Sequence, residues 1–398
     1  MVEEEVPLPI LFHDVTPIPQ EDGPHPVCAI SYKEDFTEAM NYLRAVLRAN
    51  ELSARALKLT SICLKLNPAN YTVWHFRRRC LQNLSSSSST KFAPESIQSD
   101  LEFSSKLGGS NPKNYQIWYH RRALLEPTFE AEMIKQKEGK EKGKEDEDDI
   151  IQKAKEELNY INGVLENDGK NYHAWSHRQW VLRTICFPPS IYNSELDYVH
   201  KLILDDPRNN SAWNHRWFIT HKGCTRKPLS SLEDVQKEIT YAMQCAEVDP
   251  FNESPWRYVI GFLEECKKYS GSEGNDVMEA ADVKSLINSC EQEITKMRGN
   301  LGSTEYDVDS CVHLTSAKID ILEMKGDDIS LEQVSVPILK AVTIFFTKVN
   351  HFQCMSLSIH MARTWGDWNV TKANNFYGCN FEYVALFLSF YLGTFDPS

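Results

Sequence analysis

Three cationic side chains lie at the same position of a repeated sequence motif, and together they suggest phosphate chemistry. Lys113, Lys170 and Arg208 each come directly before an asparagine that the sequence predicts to cap a helix. A helix N-terminus offers free amide N–H groups and a partial positive charge, and both favour an anion. A cation beside those amides strengthens such a site, and phosphate is the obvious ligand. The alternative is that these cations point to solvent or pair with nearby acids.

Aromatic side chains follow the corresponding asparagine in the first three copies of the motif. They are Tyr71, Tyr115 and Tyr172, and we expect them to lie along the same rim as the cations. Two interpretations remain open at this point: the tyrosines either help to cap the helices or contact a ligand.

Other combinations of reactive residues carry less information. His120, His177 and His215 share one position of the motif, which favours packing or capping over metal binding. His221 and Cys224 have the spacing of metal ligands but lack further partners. The sequence contains no glycine-rich phosphate loop, no GxSxG motif and no paired catalytic acids within a motif, and we expect no metal site in this chain.

A motif repeated five times must position these side chains. It reads NPANYTVWHFRR from Asn67, NPKNYQIWYHRR from Asn111, DGKNYHAWSHRQ from Asp168, DPRNNSAWNHRW from Asp206 and DPFNESPWRYVI from Asp249. Its tryptophans, at positions 74, 118, 175, 213 and 256, are separated by 44, 57, 38 and 43 residues. Without two low-complexity insertions the period would be about 35 to 40 residues, which is typical of helical-hairpin repeats.

Each copy of the motif predicts the start of a helix. An Asn or Asp that is usually followed by Pro ends the preceding helix, and the shared asparagine then accepts hydrogen bonds from the first free amides. These predicted caps are Asn70, Asn114, Asn171, Asn209 and Asn252. In four copies an arginine follows the tryptophan by three residues, at positions 77, 121, 178 and 216, whereas the fifth copy has Val259. This spacing places ring and guanidinium on one helix face, so we expect the indole to pack against the next hairpin. We expect the arginine to stack or to bond to carbonyls.

The sequence predicts an all-α fold of stacked helical hairpins that curve into a crescent, similar to tetratricopeptide repeats. Apolar residues recur at helical spacing between the motifs, and alternating β-branched runs are rare. We predict an extended lead-in over residues 1–35, a repeat domain over 36–330 with inserted loops near 85–106 and 131–150, and a divergent C-terminal region over 331–398. The two loops carry SSSSST and the charged run EGKEKGKEDEDD, which we interpret as solvated segments.

Composition excludes several classes of protein. The net charge of −13 disfavours a general nucleic-acid binder. The N-terminal MVEEEVPLPI lacks the features of a secretory signal. No window holds the roughly 18 apolar residues that a membrane span needs, so we expect a cytoplasmic protein. The eleven cysteines are scattered without a CxxC motif, which favours reduced, mostly buried thiols over disulfides or a zinc knuckle.

The PxNYxxWxxRR motif resembles the prenyltransferase α-subunit repeat. The lead-in DVTPIPQEDGPHPVCAISY, from Asp14 to Tyr32, precedes NYLRAVLRANELSARALKLT and the first motif. This combination resembles the α subunits shared by protein farnesyltransferase and protein geranylgeranyltransferase type I. The resemblance covers roughly residues 12 to 260 and fades after about residue 265. The last 50 or so residues, from about Asn350, do not resemble the final helix of this family.

The resemblance implies a fold, a partner and a reaction. In this family the α subunit is a crescent of helical hairpins that wraps around a β subunit, an α/α barrel. The heterodimer transfers a farnesyl or geranylgeranyl group from its diphosphate to the cysteine of a C-terminal CaaX sequence. The β subunit holds the catalytic zinc and most of the prenyl pocket, while magnesium accompanies the diphosphate. We therefore expect no cofactor bound by this chain alone and no activity without a β subunit.

The resemblance also implies roles for individual residues near the diphosphate. Lys113 would reach the diphosphate and stabilise the leaving charge, and Tyr172 would donate a hydrogen bond to it. Asn171 and His173 would lie near the diphosphate and the isoprenoid. A cation at a helix N-terminus facing a developing diphosphate is electrostatic stabilisation, which is typically worth a few kcal/mol.

Three further residues would contact the substrates. Tyr115 would line the isoprenoid and diphosphate region, Gln116 would bond the terminal carboxylate of the CaaX peptide, and Tyr71 would lie against its last residues.

Two alternative functions remain. A non-catalytic helical-repeat scaffold is disfavoured because such a protein would be expected to have lost part of this residue set. An α subunit of the Rab-type enzyme is disfavoured because it lacks the lead-in from Asp14 to Tyr32.

Overall fold

The structure is a computed structural model that describes residues 6–25, 27–28, 30–85, 91–137, 144–185, 189–221, 231–270, 279–301 and 311–325. The helices in these ranges are α1 Leu8–Leu11, α2 Glu34–Ala49, α3 Ala54–Leu66, α4 Tyr71–Leu84, α5 Pro94–Ser110, α6 Tyr115–Lys137, α7 Lys144–Asn167, α8 Tyr172–Thr184, α9 Pro189–Asp205, α10 Asn210–Thr220, α11 Leu232–Val248, α12 Glu253–Tyr269, α13 Ala280–Leu301 and α14 Val312–Lys325. Throughout the described ranges there is no β-strand. The predicted all-α class is therefore confirmed.

The asparagines of the motif begin the second helix of every hairpin. Asn70 accepts hydrogen bonds from two amides at the start of α4, and Asn171 does the same at the start of α8. Asn114, Asn209 and Asn252 each accept one amide, at 2.9, 3.1 and 3.1 Å. The caps predicted from the sequence are thus confirmed at all five positions.

The motif tryptophans close the turn before each of these helices. Every indole Nε1 donates to the carbonyl oxygen six residues earlier, at distances of 2.8 to 3.0 Å. Trp74, Trp118 and Trp175 also pack against the motif histidine of the following hairpin, with ring centroids 4.5, 5.3 and 4.9 Å apart. The indole therefore joins consecutive repeats, as the sequence predicts.

Consecutive hairpins pair α3 with α4, α5 with α6, α7 with α8, α9 with α10 and α11 with α12. The chain divides into two compact units, Met1–Lys227 and Pro228–Ser398. In the first unit the motif helices α4, α6, α8 and α10 contact one another in series. In the second unit α12 packs against α11, α13 and α14.

The boundaries of the predicted insertions differ from those in the structure. Residues 94–106, predicted as loop, belong to α5, which begins at Pro94 because proline suits the first turn of a helix. The second predicted loop, 131–150, is helical on both sides of residues 138–143, which lie outside the described residues. From Lys144 on, the charged run is helical, and its lysine and glutamate residues are good helix formers.

The lead-in is anchored to the first helices, and the prediction that it is extended throughout is wrong at α1. The aromatic ring of Phe12, which is fully buried, stacks on Tyr42 with centroids 5.6 Å apart. The carboxylate of Asp14 accepts two hydrogen bonds from Arg55 of α3, at 2.5 and 3.0 Å. The predicted C-terminal region, 331–398, lies outside the described residues.

Candidate functional site

Three exposed tyrosines mark the N-terminal ends of the first three motif helices. Tyr71, Tyr115 and Tyr172 are the first residues of α4, α6 and α8, and they are 70, 65 and 69% exposed. The asparagines before them already cap these helices, so the tyrosine side chains are free of that role. Their exposed rings are therefore available to contact a ligand. Of the two interpretations left open by the sequence, ligand contact is the one that the geometry favours.

His173 connects two of these tyrosines. Its ring meets Tyr115 edge-on with centroids 5.5 Å apart and an interplanar angle of 85°. It also contacts Tyr172, with centroids 5.2 Å apart. Burial lowers the pKa of His173, which keeps the imidazole neutral at pH 7. The structure therefore brings three of the predicted site residues together where α6 and α8 begin.

Lys113 lies in the turn that precedes α6, and its side chain is 73% exposed. Its ammonium nitrogen is 3.1 Å from Oδ2 of Asp168, in the turn before α8. The hydrogen bond from Lys113 lowers the pKa of Asp168 and keeps it ionised. An ammonium group has three N–H donors, so two remain available to a ligand. Lys113 thus pairs with an acid and still faces solvent.

The other two cations of the row are also exposed. The backbone N–H groups of Lys170 and Arg208 donate to Asp168 and Asp206, at 3.2 and 3.1 Å. These bonds belong to the turns, and the side chains of both cations remain exposed. All three cations are therefore exposed residues of the first unit.

The side chain of Asn171 is engaged in the fold. It is 1% exposed, and its carbonyl oxygen accepts the amides of His173 and Ala174 at 3.0 and 3.2 Å. Its Nδ2 donates to the backbone oxygen of Pro112 at 3.1 Å. Because its amide group is engaged on both sides, we reassign Asn171 from substrate binding to positioning of the turn that carries Lys113.

Gln116 lies one residue inside α6 and is half-buried. Its backbone N–H donates to Asn114, while its side-chain amide forms no hydrogen bond to any part of the chain that the structure describes. A polar side chain of this kind, next to the exposed Tyr115, is suited to receive a ligand.

Sequence reasoning missed a buried carboxylate in the first helix of every hairpin after the first. Glu157 of α7 accepts hydrogen bonds from Arg121 at 2.8 and 2.5 Å and from His177 at 2.7 Å. The same arrangement joins Asp100 to Arg77 and His120, and Glu195 to Arg178 and His215. Each acid therefore binds the arginine of the preceding motif and the histidine of its own motif. Its sequence signal is an Asp or Glu located 18 residues before the tryptophan, at positions 100, 157, 195 and 238.

These carboxylates stabilise the fold and do not form a reaction site. Burial alone would raise the pKa of Glu157, but the charge of Arg121 and the hydrogen bonds from Arg121 and His177 lower it to about 2. Burial lowers the pKa of His120 to about 4, so its ring is neutral at pH 7. Glu157 and His120 are shielded from solvent, with exposures of 2 and 0%. The predicted packing role of the motif histidines is confirmed, and the arginines bind carboxylates in addition to the carbonyls that were expected.

The described residues contain no group of three or more His, Cys, Asp or Glu side chains that could hold a metal ion. His221 is buried, with Nδ1 2.6 Å from the backbone oxygen of Trp217, and Cys224 lies outside the described residues. Burial raises the pKa of Cys63 and Cys290 to about 12, which makes these thiols unreactive. None of the helices that the structure describes is long and apolar enough to cross a membrane.

Part of the chain matches the model of a known family of helical repeats. The model of the protein prenyltransferase alpha subunit repeat matches residues 53–84, 97–127, 154–185 and 192–222. Four segments of the chain are thus similar to this repeat. A fifth hairpin, α11 and α12, keeps the capping asparagine and the tryptophan outside the matched residues.

Similar proteins carry a more specific name. The chain is 55% identical over 87 residues to the protein farnesyltransferase/geranylgeranyltransferase type-1 subunit alpha of Pisum sativum, which is 21% of this chain and 26% of that protein. The subunits with the same name from Arabidopsis thaliana and Schizosaccharomyces pombe are 52% identical over 84 residues and 37% over 92. These alignments cover 21 and 23% of this chain and 26 and 28% of those subunits. The matched segments thus span about a quarter of the length of the curated relatives. The resemblance recognised from the motifs is confirmed.

A solved structure supports the fold. Candida albicans protein geranylgeranyltransferase-I, complexed with GGPP, superposes with a TM-score of 0.51 over 84% of this chain and 98% of the other chain. The sequence identity is 21%, so this likeness concerns the fold alone.

Proposed function

We propose that this chain is the α subunit of a heterodimeric protein prenyltransferase. The enzyme transfers a farnesyl or geranylgeranyl group from its diphosphate to the cysteine of a C-terminal CaaX sequence. The observation that carries this proposal is the rim of exposed tyrosines and Lys113 at successive helix N-termini, on a chain whose named relatives are subunits of such enzymes. The scaffold and Rab-type alternatives are not favoured, since these relatives share the name of the farnesyltransferase and geranylgeranyltransferase type I subunit.

In this proposal the rim contributes electrostatic stabilisation at the diphosphate. Lys113 donates to the phosphate oxygens with the N–H groups that Asp168 leaves available, and the hydroxyl of Tyr172 donates a hydrogen bond to the same diphosphate. Negative charge develops on the diphosphate as the prenyl carbon leaves, so donors fixed at this position lower the barrier. The neutral ring of His173 supports Tyr115 and Tyr172 beside the isoprenoid.

The peptide substrate is assigned to the same rim. The side-chain amide of Gln116 donates to the terminal carboxylate of the CaaX sequence, and the ring of Tyr71 packs against its last residues. Tyr71 is 70% exposed. Gln116 is half-buried, and its side-chain amide forms no hydrogen bond to the described residues.

The β subunit completes the site. We assign to it the zinc ion, which would bind the acceptor cysteine as a thiolate, while magnesium would accompany the prenyl diphosphate. We also propose a cytoplasmic location and a helical-hairpin repeat region over residues 36–330 as the part that binds the β subunit.

Co-expression with β subunits tests the proposal. This chain is expressed with a tagged farnesyltransferase-type or geranylgeranyltransferase-I-type β subunit, and the purified material is assayed with a CaaX peptide and labelled prenyl diphosphate. We expect co-purification and transfer with at least one of the two. Failure to assemble with either β subunit would rule out the subunit function, and assembly without transfer would support the scaffold alternative.

A further inference from the structure

One carboxylate serves the turns before two neighbouring helices. Asp168 begins the third copy of the motif, and its Oδ1 accepts the backbone N–H of Lys170 at 3.2 Å. Its Oδ2 lies 3.1 Å from the ammonium nitrogen of Lys113, in the turn before α6. The carboxylate of Asp168 therefore stabilises its own turn with one oxygen and holds the cation of the preceding repeat with the other.

The corresponding residues of the next repeat do not form this pair. Asp206 occupies the position of Asp168, and its Oδ1 accepts the backbone N–H of Arg208 at 3.1 Å. Lys170 occupies the position of Lys113, yet its side chain makes no ion pair with any residue that the structure describes. The turn geometry is thus common to both repeats, whereas the ion pair occurs at the lysine assigned to the diphosphate.

Stability does not explain the pair. Exposed ion pairs contribute little to folding because solvent screens them and the long side chains lose entropy. The side chains of Lys113 and Asp168 are 73 and 32% exposed. What the contact does achieve is a fixed location for an ammonium group on a flexible four-carbon stem.

The backbone of Lys113 is held by the same neighbouring turn. The oxygen of Pro112, the preceding residue, accepts a hydrogen bond from Nδ2 of Asn171 at 3.1 Å. The segment from Asp168 to Asn171 therefore binds both the ammonium group of Lys113 and the backbone directly before it.

We propose that Asp168 is a positioning residue for prenyl transfer, which holds the Lys113 ammonium at the rim so that its two remaining N–H groups face the diphosphate. This inference rests on the proposed function. The carboxylate of Asp168 also places a negative charge near the anionic substrate. Asp168 therefore weakens diphosphate binding while it favours the transfer step. The two effects have opposite signs, and this makes the role measurable.

The test uses the heterodimer with its β subunit and compares Asp168→Ala, Asp168→Asn, Lys113→Ala and the double variant Lys113→Ala with Asp168→Ala. Two quantities are measured: the single-turnover rate constant of transfer to a CaaX peptide, and the Kd of the prenyl diphosphate. We expect Asp168→Ala to reduce the rate constant about 10-fold, because small misplacements of a catalytic group have effects of this size or larger. The Kd should stay the same or fall.

Asparagine retains a hydrogen-bond acceptor, so Asp168→Asn should recover most of the rate.

Asp206→Ala is the matched control, because it removes the same turn bond in the next repeat without touching an ion pair. It should leave the rate constant and the Kd unchanged. In the Lys113→Ala background, Asp168→Ala should have no further effect on the rate.

Three results would overturn the inference: a wild-type rate for Asp168→Ala, the same 10-fold loss in the Lys113→Ala background, or an equal loss in Asp206→Ala. They leave the proposed function intact as long as Lys113→Ala is slow. If the unmodified heterodimer transfers no prenyl group, or Lys113→Ala transfers at the wild-type rate, the proposed function or the role of Lys113 fails instead, and the inference about Asp168 fails with it.

Discussion

Replacement of Glu157 by glutamine removes the charge from the centre of a buried network and keeps the size of the side chain. Glu157 is 2% exposed and receives hydrogen bonds from Arg121 of α6 and His177 of α8. The arginine is itself 3% exposed, so in the variant its charge would be buried without a counter-ion. The new amide also places an NH2 group against donors, where an oxygen accepted before.

The expected loss follows from this burial. Removal of one partner from a buried ion pair typically costs about 3–5 kcal/mol, because the remaining charge stays desolvated. The matched control is Glu126→Gln on α6, whose partner Arg122 lies 3.0 Å away and whose pair is 48 and 36% exposed. Exposed pairs contribute about 0–1 kcal/mol, so this control should be nearly neutral. Urea unfolding at neutral pH, followed by tryptophan fluorescence, measures both variants, because Trp118 packs against His177.

A further variant separates the charge from the contact. Arg121→Met combined with Glu157→Leu removes both charges and fills the space with apolar groups, so it should recover most of the lost stability. A loss of less than 1 kcal/mol for Glu157→Gln, or a loss equal to that of Glu126→Gln, would refute the conclusion that this network holds successive hairpins together.

Three other predictions follow from individual contacts. Burial lowers the pKa of His120 from 6.5 to about 4 in the folded chain. As the pH falls, the unfolded chain therefore binds this proton at a higher pH than the folded chain does. The urea midpoint should therefore fall as the pH is lowered from 7 to 5, and an unchanged midpoint would contradict a neutral buried ring. Asn171→Ala removes two capping bonds and the bond to Pro112, so thermal or urea unfolding should show a loss of about 1–2 kcal/mol; a neutral result would exclude the positioning role. Lys113→Ala should slow prenyl transfer by about 10²-fold with the heterodimer intact by size-exclusion chromatography, and an unchanged rate would remove Lys113 from the mechanism.

The parts of the fold that the sequence predicts are those with local or periodic signals. The capping asparagines act on amides two or three residues away, and each tryptophan bonds to a carbonyl six residues earlier. Both partners of each of these interactions lie within a single copy of the motif, so one copy is enough to predict them. Repetition of the motif then identifies the hairpins and the class of fold.

The buried carboxylates could not be found in the same way. The separation between arginine and acid is 23 residues for Arg77 and Asp100, 36 for Arg121 and Glu157, and 17 for the next pair. It varies because the insertions lie between the two partners. The constant spacing is between acid and tryptophan within one hairpin, and it becomes informative only when the arginine partner in the preceding hairpin is known.

In the candidate site, too, the sequence predicts what depends on the position in the motif but misses contacts between repeats. Tyr71, Tyr115 and Tyr172 were expected on one rim because they share a position of the motif, and the structure places all three at exposed helix starts. Asn171 was assigned to substrate by resemblance, but its amide is engaged in the fold. The partner of Lys113 was not predicted, since Asp168 belongs to another repeat and the distance depends on how the repeats stack.

The central claim is that this chain supplies one half of a prenyl-transfer site. The most direct measurement is the rate of labelled prenyl transfer to a CaaX peptide as purified chain is titrated into a fixed amount of β subunit. We predict no transfer by either protein alone and a rate that rises with added chain until the two are equimolar. Transfer by the β subunit alone at the full rate, or no transfer at any ratio with either type of β subunit, would contradict the claim.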